Sequence, residues 1–153
     1  MLPTKRNHHG KPTTSVRGGF PVHFHYTAGE AGEKFFYGLK DQKFLATTCS
    51  SCDVTYFPAK LFCEDCFDEL GEDAWKELEA TGELFSFTEV FVDHRGDTLD
   101  EPYFLGLIKV KGSDTTFFHK LVDVSDPKIG MELKAVWNDD REGSLLDLKG
   151  FTA

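Results

Sequence analysis

No stretch of this 153-residue chain approaches the roughly 20 consecutive apolar residues of a membrane span, so a soluble protein is expected. Basic charge is also scarce: 17 Lys and Arg stand against 26 Asp and Glu, a net charge of −9. The deficit is uneven. Residues 1–34 hold five bases and two acids, whereas the rest of the chain holds 12 bases and 24 acids. An acidic body repels phosphate backbones, whose neutralisation supplies most nucleic-acid affinity, so a nucleic-acid partner is not expected. The chain has no Gly-rich phosphate loop and no carboxylate pair in a persuasive catalytic context. Met1 to Gly10 carries Lys5, Arg6, His8 and His9 but no apolar leader segment, which points to the cytoplasm and to reduced thiols.

Cysteine is absent except in one short stretch, where Cys49 and Cys52 form a C-x2-C pair and Cys63 and Cys66 form a second. Each pair can wrap as a knuckle that turns both sulfurs to one side, and two knuckles then make a four-thiolate tetrahedron. That geometry suits one structural Zn2+ per chain, with no coordination position left open for chemistry. The same four thiolates accept iron. A redox C-x-x-C pair is not expected, because the βαβ pattern that would carry it is missing.

The length suits one compact domain or two very small ones. Residues 1–32 read as an extended arm, broken by Gly and Pro, with one short alternating run at Val22–Tyr26. His8, His9, His23 and His25 read as solvated loop residues. A helix is expected over Glu30–Leu45, where Phe35, Phe36, Leu39 and Lys43 recur at helical spacing; Gly38 counts against it by about 1 kcal/mol. The ribbon follows, with Tyr56-Phe57-Pro58 as a hairpin region between the knuckles. Too small to bury a sufficient core, it would draw folding energy from its metal. A short helix is expected over Glu72–Ala80, with Trp75 and Leu78 on one side.

From Gly82 the period changes to two. Strands are expected at Glu83–Val92, Pro102–Lys111, Thr115–Val122, Glu132–Trp137 and Ser144–Phe151, with turns at Gly112-Ser113-Asp114 and Asn138-Asp139-Asp140. The first strand alternates Phe85, Phe87 and Phe91 with Leu84, Val90 and Val92. Five short strands with turns between them fit a five-stranded OB-fold barrel over residues 81–153; a sandwich or an SH3-like barrel is the competitor. The expected fold is thus mainly β with short N-terminal helices: an arm (1–32), a helix plus rubredoxin-like zinc ribbon and short helix (33–80), and an OB-fold barrel (81–153). Fifteen phenylalanines serve packing or, where exposed, a partner surface.

The order of Phe35-Phe36-Tyr37-Gly38-Leu39, Thr48-Cys49-x2-Cys52, Phe57-Pro58, Cys63-x2-Cys66, Trp75, Gly82-x2-Phe85-Ser86-Phe87-Thr88 and Ile129-Gly130-Met131 resembles the acyl-CoA-associated zinc-ribbon/OB-fold family, whose members accompany thiolases and related CoA enzymes. The resemblance covers residues 33–151. It departs where the family often has glycine after the second cysteine (Asp53 here), proline and arginine after Phe-Pro (Ala59 and Lys60), and proline after the third cysteine (Glu64). The four cysteines themselves are intact.

Such a resemblance implies a non-catalytic subunit of a thiolase-type complex, a hetero-oligomer that docks on the catalytic subunit and helps to form the CoA and acyl channel. The acyl group would be a bulky or aromatic β-keto thioester. Thiolase chemistry needs a nucleophilic cysteine and a second group for proton transfer, and a four-cysteine metal site leaves no thiol for it. Neither barrel histidine lies in a nucleophile motif: His94 reads as a turn residue and His119 as a packed strand residue. Lys60, or Lys40 or Lys43 on the preceding helix, would meet a CoA phosphate. Two alternatives stay open. One is a single-stranded nucleic-acid-binding module using Phe85, Phe87, Tyr103 and Phe117 as stacking rings. The other is a free-standing acyl-CoA scaffold.

Overall fold

The computed structural model describes residues 25–153. The expected strand at Val22–Tyr26 lies mostly outside these residues, as do His8, His9 and His23; His25 and Tyr26 adopt no regular structure. Helix α1 spans Gly29–Lys40, with Glu30 in its first turn and Lys40 in its last, each suited to the nearby end of the macrodipole. It stops short of the expected Leu45. Gln42 adopts a left-handed conformation (φ 61°), and the amides of Gln42 and Lys43 bond back to the carbonyls of Leu39 (3.0 Å) and Gly38 (2.8 Å). This is a Schellman ending made with glutamine where glycine is usual. Gly38, a cost to the helix in isolation, is there for space: a Cβ would sit 3.0 Å from the Leu45 side chain and 3.1 Å from the Lys43 carbonyl.

The chain then enters β1 (Phe44–Thr48), flanked in an antiparallel sheet by β2 (Thr55–Tyr56) and β3 (Trp75–Leu78). The expected helix over Glu72–Ala80 is therefore replaced by one 3-10 turn, Glu72–Ala74, followed by a strand. Pairing with β1 decides it, setting Trp75 opposite Thr47 and Leu78 opposite Phe44. Lys34 of α1 straps this segment down, 2.6 Å from Glu72 and 4.6 Å above the Trp75 ring.

Five strands make the second sheet: β4 (Thr81–Val92), β5 (Thr98–Val110), β6 (Phe117–Lys120), β7 (Glu132–Trp137) and β8 (Leu148–Thr152), in the order β6-β5-β4-β7-β8. A parallel bridge between Leu121 and Phe151 closes the two ends on each other, completing the OB-type barrel. Closure is tight at Gly150, where a Cβ would lie 2.5 Å from the Lys120 carbonyl. The fifth strand starts later than expected. A capping box at Ser144 opens a 3-10 turn, Leu145–Asp147, in which the buried Asp147 carboxylate accepts the amides of Glu142, Gly143 and Ser144.

One apolar core runs through both sheets. Phe35, Leu39, Phe44, Ala46 and Phe57 join Leu84, Ile108, Val110, Leu121, Leu133, Leu148 and Phe151. The ring of Phe57 lies 4.6 Å from Phe44, 5.8 Å from Phe35 and 5.4 Å from Phe117. His119 stacks on Phe117 at 5.8 Å, a packed strand residue whose buried Nδ1 has no partner among the described residues.

The turn between β5 and β6 also hooks the ribbon. The Thr55 amide donates to the Asp114 carboxylate (2.8 Å), and the Asp114 amide donates to the Thr55 carbonyl (2.9 Å). The Thr115 hydroxyl accepts from the Phe57 amide and donates to the Phe57 carbonyl, both at 2.8 Å. Side chains thus do for β2 what a neighbouring strand would do. Among the described residues no helix is long and apolar enough to cross a membrane.

Candidate metal centre

Cys49 follows directly on β1, and its amide bonds to the Val54 carbonyl (2.9 Å) while its carbonyl accepts the Asp53 amide (2.8 Å). The second knuckle repeats the pattern: the Cys63 amide donates to the Asp68 carbonyl (3.0 Å) and the Phe67 amide to the Cys63 carbonyl (3.1 Å). Each knuckle needs a left-handed residue directly after its second cysteine. Asp53 (φ 56°) and Phe67 (φ 63°) fill these places. Aspartate tolerates that region through its short polar side chain; a bulky phenylalanine is strained there. The position where Asp53 departs from the family's usual glycine is thus one with a conformational demand that aspartate can meet.

The four sulfurs converge. All lie within 4.8 Å of one another, and Cys49 Sγ and Cys66 Sγ are 3.6 Å apart. A tetrahedron with Zn–S bonds of about 2.3 Å has edges of about 3.8 Å, so the four cysteines are positioned to bind one metal ion. Cys49 and Cys63 are buried, and Cys52 and Cys66 lie nearer the surface. A satellite core of Tyr56 and Leu70 packs around the two buried ligands.

Neighbouring groups orient the sulfurs. The Tyr56 hydroxyl lies 3.3 Å from Cys63 Sγ, to which it donates, and accepts the Glu64 amide at 3.0 Å. The Cys66 backbone amide and the Tyr56 hydroxyl together hold the Cys63 thiol down to about 6. In return the hydrogen bond to Cys63 pushes the Tyr56 hydroxyl up to about 12. Cys66 is moved the other way: the Asp68 amide favours its thiolate, but burial and the adjoining thiols outweigh that and raise it. Cys52 is raised as well, its bond from Cys66 overcome by burial and by Cys63 and Cys49. Four thiolates this close repel one another unless a cation sits among them, which is the electrostatic signature of a metal site. Ser51 ties the knuckles together by donating to Asp68 at 2.7 Å.

The other residues singled out from the sequence fall elsewhere. Lys60 lies beside the second knuckle, paired with Glu64 and 5.1 Å above the Tyr56 ring. Lys43 pairs with Glu77 at 3.0 Å, and Lys40 is exposed. His94 sits in the exposed turn between β4 and β5. From the sequence, Tyr56 belongs to an expected hairpin region and Asp114 to an expected turn. Nothing in their spacing points to the contacts they make with Cys63 and Thr55.

Two family models divide the chain between them: the ChsH2 rubredoxin-like zinc ribbon domain matches residues 38–70, and the ChsH2 C-terminal OB-fold domain matches residues 75–138. Among solved structures, the chain is similar to a protein of unknown function from the DUF35 family of Sulfolobus solfataricus, at 28% identity and a TM-score of 0.59, over 71% of this chain and 78% of that one. It is also similar in fold to a chain of the Ltp2-ChsH2(DUF35) aldolase, at 20% identity and a TM-score of 0.55, over 78% of this chain and 91% of that one. Comparison with curated proteins gives no match.

Proposed function

We propose that this chain, which belongs to the ChsH2-type zinc-ribbon/OB-fold family, is the non-catalytic, zinc-binding subunit of an acyl-CoA complex of thiolase type. The observation that carries the reading is the joined pair of modules. A ribbon and a barrel of ChsH2 type share one core here, and a ChsH2(DUF35) chain of the same fold stands beside Ltp2 in a solved aldolase. In this reading the metal is structural zinc, one per chain, held by Cys49, Cys52, Cys63 and Cys66. With all four thiols so engaged the chain offers no free cysteine for thiolase chemistry, which in this reading belongs to the partner.

The subunit docks on the catalytic chain, inside the cell, and walls part of the channel for CoA and a bulky or aromatic β-keto acyl group. Lys60 is the basic residue assigned to a CoA phosphate. Its present partner, Glu64, forms an exposed pair worth about 1 kcal/mol or less, so a phosphate can displace it. Gentle purification of the full-length chain from its native cells tests the reading. A thiolase-type subunit should accompany it with about one zinc per chain; recovery alone, or with nucleic acid, would sink it. Unchanged CoA affinity of the assembled complex after Lys60→Ala would remove Lys60 alone.

A further inference from the structure

Past Leu84 the hairpin of β4 and β5 leaves the barrel. β7 pairs with β4 only at Thr81–Glu83, and β6 pairs with β5 only at Leu105–Ile108. Among the described residues, Val90–Val92 and the facing Thr98–Tyr103 of β5 pair only with each other, while the carbonyl of Phe104, opposite Glu89, still accepts the Leu121 amide at 2.9 Å. A lone two-stranded ribbon is at best marginally stable in water, since neither face has a layer to bury against.

The arm nevertheless carries large apolar groups. A register shift between Leu84 and Ser86 displaces Phe85, which is 58% exposed. Beyond it, alternation puts Phe87 and Glu89 on the face shared with Phe104 and Gly106, and a second register shift between Val90 and Val92 leaves Phe91 without a cross-strand partner. That face continues the barrel interior, because a Cβ at Gly106 would strike Leu84 and Leu121. Phe87 meets Phe104 nearly edge-on at 6.0 Å, and Phe91 lies further out, 53% exposed. The same stretch of chain carries Glu89, Asp93, Asp97, Asp100 and Glu101, with Arg95 the only Lys or Arg between residues 85 and 104 in the sequence; Lys120 of β6 reaches the Tyr103 ring at 5.0 Å.

We infer that this arm is the docking element for the catalytic subunit, its aromatic face entering an apolar cleft whose rim is basic. The inference rests on the accessory-subunit reading above. An aromatic centre inside a charged rim is the arrangement of an interface hot spot with its water-excluding surround. Charge decides against a second copy as the occupant. Residues 35–153 carry 12 bases against 24 acids, so five arm acids approaching that body meet their own sign. A Lys- and Arg-rimmed cleft on a different chain complements them.

The test uses the full-length chain and the thiolase-type subunit that co-purifies with it. Phe91→Ser is expected to weaken association at least about 30-fold, with zinc content and melting temperature unchanged. Reversing the rim with Asp100→Lys and Glu101→Lys is expected to slow association and flatten its salt dependence. A photo-crosslinking phenylalanine analogue at position 91 should label the catalytic subunit, and one at the ribbon residue Glu77 should not. Equal binding of wild type and Phe91→Ser, or labelling of a second copy from position 91, would overturn the inference and leave the accessory-subunit reading standing. Absence of any thiolase-type partner for the wild-type chain would overturn both.

Discussion

Replacing Phe57 by Ala is expected to destabilise the barrel as much as the ribbon, by at least about 4 kcal/mol. Phe57 follows directly on β2, is 1% exposed, and touches rings from α1, β1 and β6. Burying a phenylalanine removes about 150 Å² or more from water, which at about 25 cal/mol per Å² contributes roughly 4 kcal/mol. The methyl group left behind retains roughly 1 kcal/mol of this. Against that, the lost edge-to-face geometry costs about 0.5–1.5 kcal/mol per pair, and the cavity adds its own penalty. The total is a large fraction of the roughly 5–15 kcal/mol that holds a domain together. The chain has two tryptophans, Trp75 in β3 and Trp137 in β7, so each half of the shared core has a fluorescent reporter. Urea unfolding, followed in Trp75→Phe and Trp137→Phe backgrounds, should show both reporters moving to the same lower midpoint. A shift seen by Trp75 while Trp137 stays put would refute a common core, as would a loss below about 1.5 kcal/mol in both.

Metal release on acidification should begin earlier in Tyr56→Phe. The variant removes the hydroxyl that stabilises the Cys63 thiolate, so its thiol rises from about 6 and protons compete at higher pH. A chromogenic chelator should report a release midpoint at higher pH and affinity about 10-fold weaker; an unmoved midpoint would dismiss the role of Tyr56. Burial lowers the pKa of His119 in the fold, while the unfolded chain takes up its proton near pH 6.5. The stability this neutral residue contributes is complete above that pH and is lost as pH falls below it. His119→Phe should therefore flatten the decline in urea midpoint between about pH 6.5 and 5, at equal zinc content, and parallel curves would exclude it. Phe67→Gly should stabilise the ribbon by about 0.5–1 kcal/mol, because glycine avoids the left-handed penalty of about 1–2 kcal/mol at some entropic cost. A lower melting temperature for the zinc-loaded variant would show that the exposed Phe67 ring packs more than it strains.

Local patterns were legible in the sequence, and contacts made at a distance were not. The alternation that gave Glu132–Trp137 is the observed β7, because that strand buries one face regularly and asks nothing of remote residues. The succession of five strands and the paired C-x2-C knuckles likewise follow from period and spacing, whereas the sheet order and the closure of the barrel rest on pairings that alternation does not specify. Lys43 fitted the helical period, but the left-handed Gln42 ends α1 three residues after the buried Leu39, and glutamine gives no warning of it. Trp75 and Leu78 suit one face of a helix as well as they suit β3, and only β1, about 30 residues earlier in the chain, settles which forms. Alternation in β4 set Phe87 on the face opposite Leu84, but the bulge at Phe85 brings the two onto one face, and the end of pairing with β7 carries the rings beyond it away from the barrel. The pairing of Lys60 with Glu64, four residues on, is a further contact that the reading of Lys60 as a CoA-phosphate residue does not include.

The hook formed by Asp114 and Thr115 limits how these modules can be exchanged. A ribbon transplanted onto another barrel would bring its cysteines and its metal, but would leave the amides of Thr55 and Phe57 and the carbonyls beside them uncovered at a buried seam. Each such orphan costs about 1–3 kcal/mol. A working chimaera would therefore have to carry the Ser113–Thr115 corner of its original barrel along with the ribbon, although nearly 60 residues of chain separate the two.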